Sequence, residues 1–347
     1  MTSDTIIERQ GGLARFVLNR PKAHNALTHD QVLLLADRLA AWEGDSGVVA
    51  VVIEGDGHKS FCAGGDIRAL YDHVTAGRVD VVPSFFGDEY RLNRQINIYS
   101  KPYVALLDGI VMGGGAGVSI NGRYRVATER TLFAMPETAI GFYPDVGGTY
   151  FLPRLPGATG LYLALTGNRL HAADTYHTGL ATHYVHSAEL DALRTALAAA
   201  ADAEGIAAVL DRFHRDPGPS PLAEKQWVID RTFGKETLPE ILAALEADEN
   251  PWARHALAVI RSRSPSAVVV AFTAARQGRG LDFDACLRLE YRLSLQVALT
   301  RDFIEGIRAV IVDKDQAPRW SPAQIESVSA EIYALHETVP AEGDLTF

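Results

Sequence analysis

Three successive glycines, Gly113, Gly114 and Gly115, follow Met112 between an apolar run that reads as a buried strand and a segment that reads as a helix start. Without Cβ atoms they leave backbone N–H groups open to close approach by another group. Farther along come Met135-Pro136-Glu137 and then Pro144-Asp145-Val146-Gly147-Gly148. A second small-residue loop, Phe61-Cys62-Ala63-Gly64-Gly65-Asp66, precedes them. Bare backbone donors together with two carboxylates can stabilise a developing negative charge and move a proton. The glycine tract is not a phosphate loop, because the lysine and hydroxyl of that pattern are missing. Glu137 follows Pro136, which restricts the local backbone, although a capping or salt-bridging glutamate would look the same. Asp145 stands in a Pro-Asp setting that also suits a turn-forming aspartate.

The elements around these residues read as alternating strands and helices. Leu13 to Leu18 is a strand closed by Asn19-Arg20-Pro21. Thr28 caps a helix that turns Val32, Leu35 and Leu39 to one side, with Gln31 three residues past the cap. Val48 to Ile53 and Tyr103 to Leu107 are apolar throughout, as expected of strands covered on both faces. Ile67 to Tyr71 and the residues from Ala116 read as helices, and Val126 and Thr131 to Phe133 as short strands. The repeated order of strand, small-residue loop and helix predicts an α/β architecture. From about Leu155 the pattern turns helical, through Leu161–165, 172–180, 190–203, 206–213 and 238–247. The expected division is a core over 1–185 and a mainly helical region over 186–347, with a hinge or surface turn at 216–222.

The chain has 33 basic and 43 acidic residues, a formal charge of -10, which disfavours a general nucleic-acid surface. Cys62 and Cys286 are the only cysteines, too few for a disulfide framework and too far apart for a zinc spacing. His58, His171, His177 and His183 form no recognised ligand motif. The first nine residues have neither the basic start nor the apolar run of a secretory signal, and no stretch is long and apolar enough to span a membrane. These features predict a cytoplasmic protein with no membrane partner.

Several motifs together resemble the crotonase, or enoyl-CoA hydratase/isomerase, superfamily. They are Asn19-Arg20-Pro21 with Asn25-Ala26-Leu27, Phe61 to Asp66, Lys101 to Gly117, Phe133 to Pro153, Leu165-Thr166-Gly167 and Gly179-Leu180-Ala181-Thr182. Leu13 to Val185 is matched densely. Glu137 and Asp145 within their long shared pattern are most similar to the 3-hydroxyisobutyryl-CoA hydrolase branch. The resemblance implies a crotonase-like spiral of ββα repeats with a helical C-terminal region. It also implies that two backbone N–H groups, those of Gly65 and Gly114, polarise a thioester carbonyl. Glu137 would be the catalytic carboxylate, as nucleophile or as base for water, and Asp145 a second acid/base or a contact to the substrate hydroxyl. Glu89 matches a substrate-binding glutamate of the branch, and Asp66 would support the loop that carries Gly65. Arg68 is a candidate for the phosphates of CoA, or simply a solvated helix arginine.

The implied substrate is a short 3-hydroxyacyl-CoA of valine breakdown, with CoA as part of substrate and product and no separate cofactor or metal. One departure bears on the chemistry. The hydratases use a second glutamate at the position held here by Gly117, and a glycine cannot activate water. Isomerisation or an unusual hydration is the alternative reaction, and a noncatalytic acyl-CoA-binding protein the alternative class. Trimers in the superfamily make a homo-oligomer an expectation, which amphipathic helices alone do not separate from an intrachain lid.

Overall fold

A computed structural model describes residues 4–341 and 343–347. The chain divides into two compact units that interleave along the sequence. The first takes the described part of Met1–Asp66, with Arg91–Ala134 and Arg169–Ala223; the second takes Ile67–Tyr90, Met135–Asn168 and Glu224–Phe347.

Among the described residues, the first unit holds all ten strands. β1 (Thr5–Gln10) and β2 (Leu13–Leu18) form an antiparallel hairpin, and β2 then runs parallel to β3 (Ala50–Gly55). β3 pairs with β5 (Tyr103–Leu107), β5 with β7 (Tyr124–Ala127) and β7 with β10 (His183–Tyr184), all parallel. The sheet order is β1-β2-β3-β5-β7-β10. A second sheet has the order β4-β6-β8-β9, from β4 (Ser60–Cys62), β6 (Ile110–Met112), β8 (Leu132–Ala134) and β9 (Leu170–His171). Each repeat therefore gives one long strand to the large sheet and one three-residue strand to the small one, followed by a helical segment. In the sequence β4 reads as a small-residue loop and β6 and β9 carry no separate signal, because two or three residues show too little periodicity to register, whereas Thr131–Phe133 already reads as the strand that becomes β8.

The apolar runs are buried for the expected reason. Val51, Val52 and Ile53 in β3 and Val104 in β5 are fully buried. Leu193 and Leu197 of the helix Leu190–Ala198, with Ile206 and Leu210 of the helix Ala203–Phe213, join Leu13, Val52, Val104, Leu106 and Val126 in one core cluster. Parallel strands need such a cover on both faces. The helix His29–Gly44 begins at Thr28 with the anticipated reciprocal cap, Thr28 accepting from the Gln31 N–H and Gln31 from that of Thr28. The Pro-rich turn at 217–221 is tied into the same unit, since Ser220 Oγ and the Leu222 N–H both donate to Asp174 Oδ1, at 2.6 and 2.9 Å.

The second unit is helical apart from turns. Its helices include Ile67–Thr75, Thr159–Thr166, Gln226–Phe233, Leu238–Ala247, Pro251–Ser262, Pro265–Gly278, Phe283–Val297 and Arg301–Ile307, with the first part of Val81–Asn97. Among the described residues no helix is long and apolar enough to cross a membrane.

Glycine at position 115 is dictated by packing. A Cβ there would lie 2.2 Å from the carbonyl oxygen of Cys62, at the end of the neighbouring strand. Gly44, by contrast, has nothing within 4 Å of such an atom. Gly115→Ala is expected to lower stability by about 1–3 kcal/mol through overpacking, whereas Gly44→Ala raises it by roughly 0.5 kcal/mol through helix propensity. Thermal unfolding of the two variants checks the contrast.

Candidate active site

The loops that follow β4 and β6 form one half of the candidate chemistry, within the first unit. These strands are parallel neighbours, so their C-terminal ends lie side by side. After β4, the Ala63 N–H donates to the His24 carbonyl, and the Leu27 N–H donates to that of Gly64. The Asp66 N–H in turn donates to the Leu27 carbonyl. These bonds clamp the loop while leaving out one donor, since the Gly65 N–H has no acceptor among the described residues. After β6, Gly113 takes a positive φ of 48° and the helix Gly114–Ile120 begins. The Gly114 N–H lies in the first turn, where no intrahelical acceptor exists, and it too is left over. Every residue of that helix is buried, Gly117 included.

Arg20 locks the first loop. Its guanidinium donates to Asp66 Oδ2 at 2.9 Å and to the Ala26 carbonyl at 2.6 Å, while its own N–H donates to Asn25 Oδ1. Asn25, buried and left-handed at φ 56°, in turn donates to the Asp56 and Ser60 carbonyls at 3.0 and 2.8 Å. The Asn-Arg-Pro and Asn-Ala-Leu motifs are thus the scaffold of the Gly65 loop, and Asp66 supports it through an ion pair. Arg68 is engaged on its own helix with Asp72 at 3.0 Å, as a partly exposed surface arginine.

The carboxyl groups lie in the second unit. Glu89, Glu137 and Asp145 are 4%, 7% and 5% exposed, and a fourth, Glu290, is fully buried. Among the described residues none of the four pairs with a lysine or arginine. Burial, and then the charges of Asp145 and Glu290, push Glu89 up to about 8. Burial followed by the charge of Asp145 raises Glu137 well above the usual carboxylate range. Burial lifts Asp145 to about 7 against the opposing hydrogen bond from Tyr90. Glu290 rises to about 8 through burial and then Asp145, with hydrogen bonds from Gly147 and Thr149 pulling it back. Glu89 Oε1 and Glu137 Oε2 are buried without hydrogen-bond partners.

Local backbone explains how these groups are presented. Glu137 opens a 3-10 turn, Glu137–Ile140, after Pro136, and Gly141 closes it at φ 73°. The Ser264 N–H donates to the Thr138 carbonyl at 3.1 Å and fixes the turn from outside. Asp145 is followed by two left-handed residues, Val146 at φ 52° and Gly147 at φ 90°. A β-branched residue rarely adopts that conformation, which costs on the order of 1–3 kcal/mol. The turn is held by the Gly148 N–H donating to the Asp145 carbonyl at 2.7 Å. Glu290 completes it, Oε2 accepting from the Gly147 N–H at 2.8 Å and Oε1 from that of Thr149 at 2.9 Å.

Tyrosine hydroxyls complete the group. Tyr90 Oη stands 2.6 Å from Asp145 Oδ2, donating when that carboxyl is ionised, and 2.6 Å from Ser294 Oγ. Tyr143 Oη lies 2.8 Å from Ser294 Oγ and donates to the Glu290 carbonyl at 2.7 Å. Of the residues expected from the sequence, Gly65 and Gly114 lie in the first unit, on the loops after neighbouring parallel strands, and Glu89, Glu137 and Asp145 in the second. Tyr90, Tyr143, Glu290 and Ser294 were missed. A signal existed for the last two: they interrupt the apolar stripe Phe283, Leu287, Val297 of the helix Phe283–Val297 at helical spacing.

The sequence pattern of a family described as Enoyl-CoA hydratase/isomerase matches residues 13–336. The mitochondrial 3-hydroxyisobutyryl-CoA hydrolase of Gallus gallus is 43% identical over 338 residues, covering 95% of this chain and 87% of that protein. The mitochondrial enzyme of the same name from Homo sapiens is 42% identical over 351 residues, covering 99% of this chain and 91% of that one. A crystal structure of a carnitinyl-CoA dehydratase from Mycobacterium thermoresistibile superposes with a TM-score of 0.93 at 42% identity, covering 100% of this chain and 99% of that one. An enoyl-CoA hydratase from Rhodobacter sphaeroides 2.4.1 does so at 0.92 and 38%, covering 99% and 100%. The cytoplasmic placement expected from the sequence is corrected by the curated relatives, which are mitochondrial proteins by name. Composition of a folded body records solubility, whereas compartment is set by an address segment that the fold does not need.

Burial of Glu89 has a measurable consequence for stability. Its folded pKa lies above that of a solvated glutamate, so the folded state binds the proton more tightly than the unfolded state between about pH 4.5 and 8. Stability must therefore fall as pH rises through that window. Glu89→Gln is expected to flatten the slope and to be more stable than the parent at pH 8 by on the order of 1–3 kcal/mol. Urea unfolding at pH 5 and pH 8 tests this.

Proposed function

This chain belongs to the enoyl-CoA hydratase/isomerase family, and from that premise we propose that it hydrolyses the thioester of a short 3-hydroxyacyl-CoA. The first candidate is 3-hydroxyisobutyryl-CoA, giving the hydroxy acid and free CoA. The observation that carries the reading is the pair of unused N–H groups, Gly65 and Gly114, at the ends of the adjacent parallel strands β4 and β6. Two such donors match an oxyanion hole, worth about 3 kcal/mol per donor to the transition state. Glu137 is assigned as the carboxylate that attacks the carbonyl or activates water. Its buried, unpartnered Oε2 supports that role, because a structural glutamate would have its hydrogen bonds made. Asp145 is assigned as the second acid/base group or the contact to the substrate hydroxyl, and Glu89 as a substrate-binding group.

Hydrolysis is favoured over hydration by Gly117. That position lies in the buried helix after the glycine tract and offers no side chain to activate a second group. The solved relatives named for hydration or dehydration therefore share the fold without deciding the reaction of this chain. Of the region from 186 onward, the helices after residue 223 are assigned to enclosing the substrate or to self-association, those before it covering the large sheet. The acidic charge supports a small-molecule partner over a nucleic acid.

A timed assay of CoA release across short 3-hydroxyacyl-CoAs and enoyl-CoAs, with product identification, tests the assignment. Rapid thiol release from 3-hydroxyisobutyryl-CoA, with enoyl substrates left intact, is expected. Absence of thiol release from every 3-hydroxyacyl-CoA would sink it. Glu137→Gln is expected to lower kcat by about 10²–10⁴, while a noncatalytic binding protein would be indifferent to the change.

A further inference from the structure

A row of buried oxygens in the second unit has a proton count that constrains Asp145. It runs from Asp145 Oδ2 to Tyr90 Oη, Ser294 Oγ, Tyr143 Oη and the backbone carbonyl of Glu290. The four successive separations are 2.6, 2.6, 2.8 and 2.7 Å. At such distances each contact needs one proton, since two facing lone pairs repel. Three hydroxyl groups supply one proton each, and the terminal carbonyl supplies none. With Asp145 ionised, Tyr90 donates to it and Tyr143 to Glu290, so the single proton of Ser294 cannot serve both of its neighbours. With Asp145 protonated, donors run head to tail from Asp145 through Tyr90, Ser294 and Tyr143 to the Glu290 carbonyl, and every contact is filled.

From this we infer that Tyr90, Ser294 and Tyr143 form a hydroxyl relay, anchored on the Glu290 carbonyl, that holds Asp145 as a neutral carboxylic acid. The relay residues are positioning residues: they set the charge state of Asp145. The surroundings act in the same direction. Asp145 faces Glu89 and Tyr90 from the helix Val81–Asn97, Glu137 and Tyr143 from the turns on either side of Gly141, and Glu290 from the helix Phe283–Val297. All of these are acidic or neutral, and burial lifts Asp145 to about 7 even against the opposing hydrogen bond from Tyr90. Building on the assignment of Glu137 as catalytic carboxylate, a neutral Asp145 leaves Glu137 free to carry the charge without repulsion from its neighbour.

The count makes an unusual prediction about variants. Tyr143→Phe or Ser294→Ala removes the contact that lacks a proton when Asp145 is ionised, so either change should make ionisation easier. Tyr90→Phe removes the donor to the anion and should make it harder. The measurement is pH-dependent infrared difference spectroscopy of the protonated carboxyl band, assigned by its loss in Asp145→Asn, which needs no turnover. In the parent the band is expected to persist near neutral pH. Its midpoint should fall by about one pH unit, a tenfold loss of proton affinity, in folded Tyr143→Phe and Ser294→Ala, and rise in Tyr90→Phe. An Asp145 band absent from the parent at pH 6, or a midpoint unmoved or raised in both Tyr143→Phe and Ser294→Ala, would overturn the relay. Failure of the CoA-release assay alongside the expected spectra would count against the hydrolase reading and not against the relay.

Discussion

The second unit depends on one constraint, the burial of Glu89, Glu137, Asp145 and Glu290 with no neutralising cation among the described residues. Removing a carboxylate from water disfavours its charged form, and carboxylates that face one another disfavour it further. Folding can accept such a group in two ways. It can hold the proton on, or it can supply enough donors to replace water. Both occur here. Glu290 takes N–H groups from Gly147 and Thr149, Asp145 faces the Tyr90 hydroxyl, and Glu137 and Glu89 each keep one oxygen unpartnered. The two groups with an orphaned oxygen are, with Asp145, those assigned to chemistry and substrate contact. The fully bonded Glu290 serves as architecture.

That division explains the strained turn after Asp145. A valine at φ 52° would relax unless its neighbours were fixed, and the carboxylate of Glu290 fixes them by gripping the N–H groups on the C-terminal side. A structural carboxylate therefore spends its hydrogen bonds on orienting the turn that carries Asp145, the group assigned to acid/base work. The first unit applies the same economy to backbone donors. Arg20 and Asn25 occupy the side chains and carbonyls around the Gly65 loop, so that the Gly65 N–H is one that remains.

Much of this was legible in sequence, and the parts that were not have physical reasons. Tyr103–Leu107 was read to the residue because a continuous apolar run has few alternatives, and Leu13–Leu18, apolar but for Arg15, because Asn19-Arg20-Pro21 closes it. The Thr28 cap and its Gln31 partner were read because capping chemistry is local. Gly65, Gly114, Glu137 and Asp145 could be named because their motifs are contiguous. Glu290 and Ser294 showed only as breaks in an apolar stripe, without a role, since their partners Gly147 and Tyr143 lie more than a hundred residues away. The helices Leu190–Ala198 and Ala203–Phe213 read as part of a helical tail, yet they cover the large sheet. Composition reports that a segment is helical, while only long-range packing decides what it covers.

Proton release on unfolding tests the buried-acid constraint most directly. At pH 7 the folded protein retains protons on carboxyl groups that would be ionised in water, and unfolding must free them. Unfolding enthalpies measured at pH 7 in buffers of different ionisation enthalpy report that number. A net release of more than one proton, reduced in Glu89→Gln, is the expected result. No net release, or uptake, would mean that these carboxyls are ionised in the folded state and would contradict the role given to their burial.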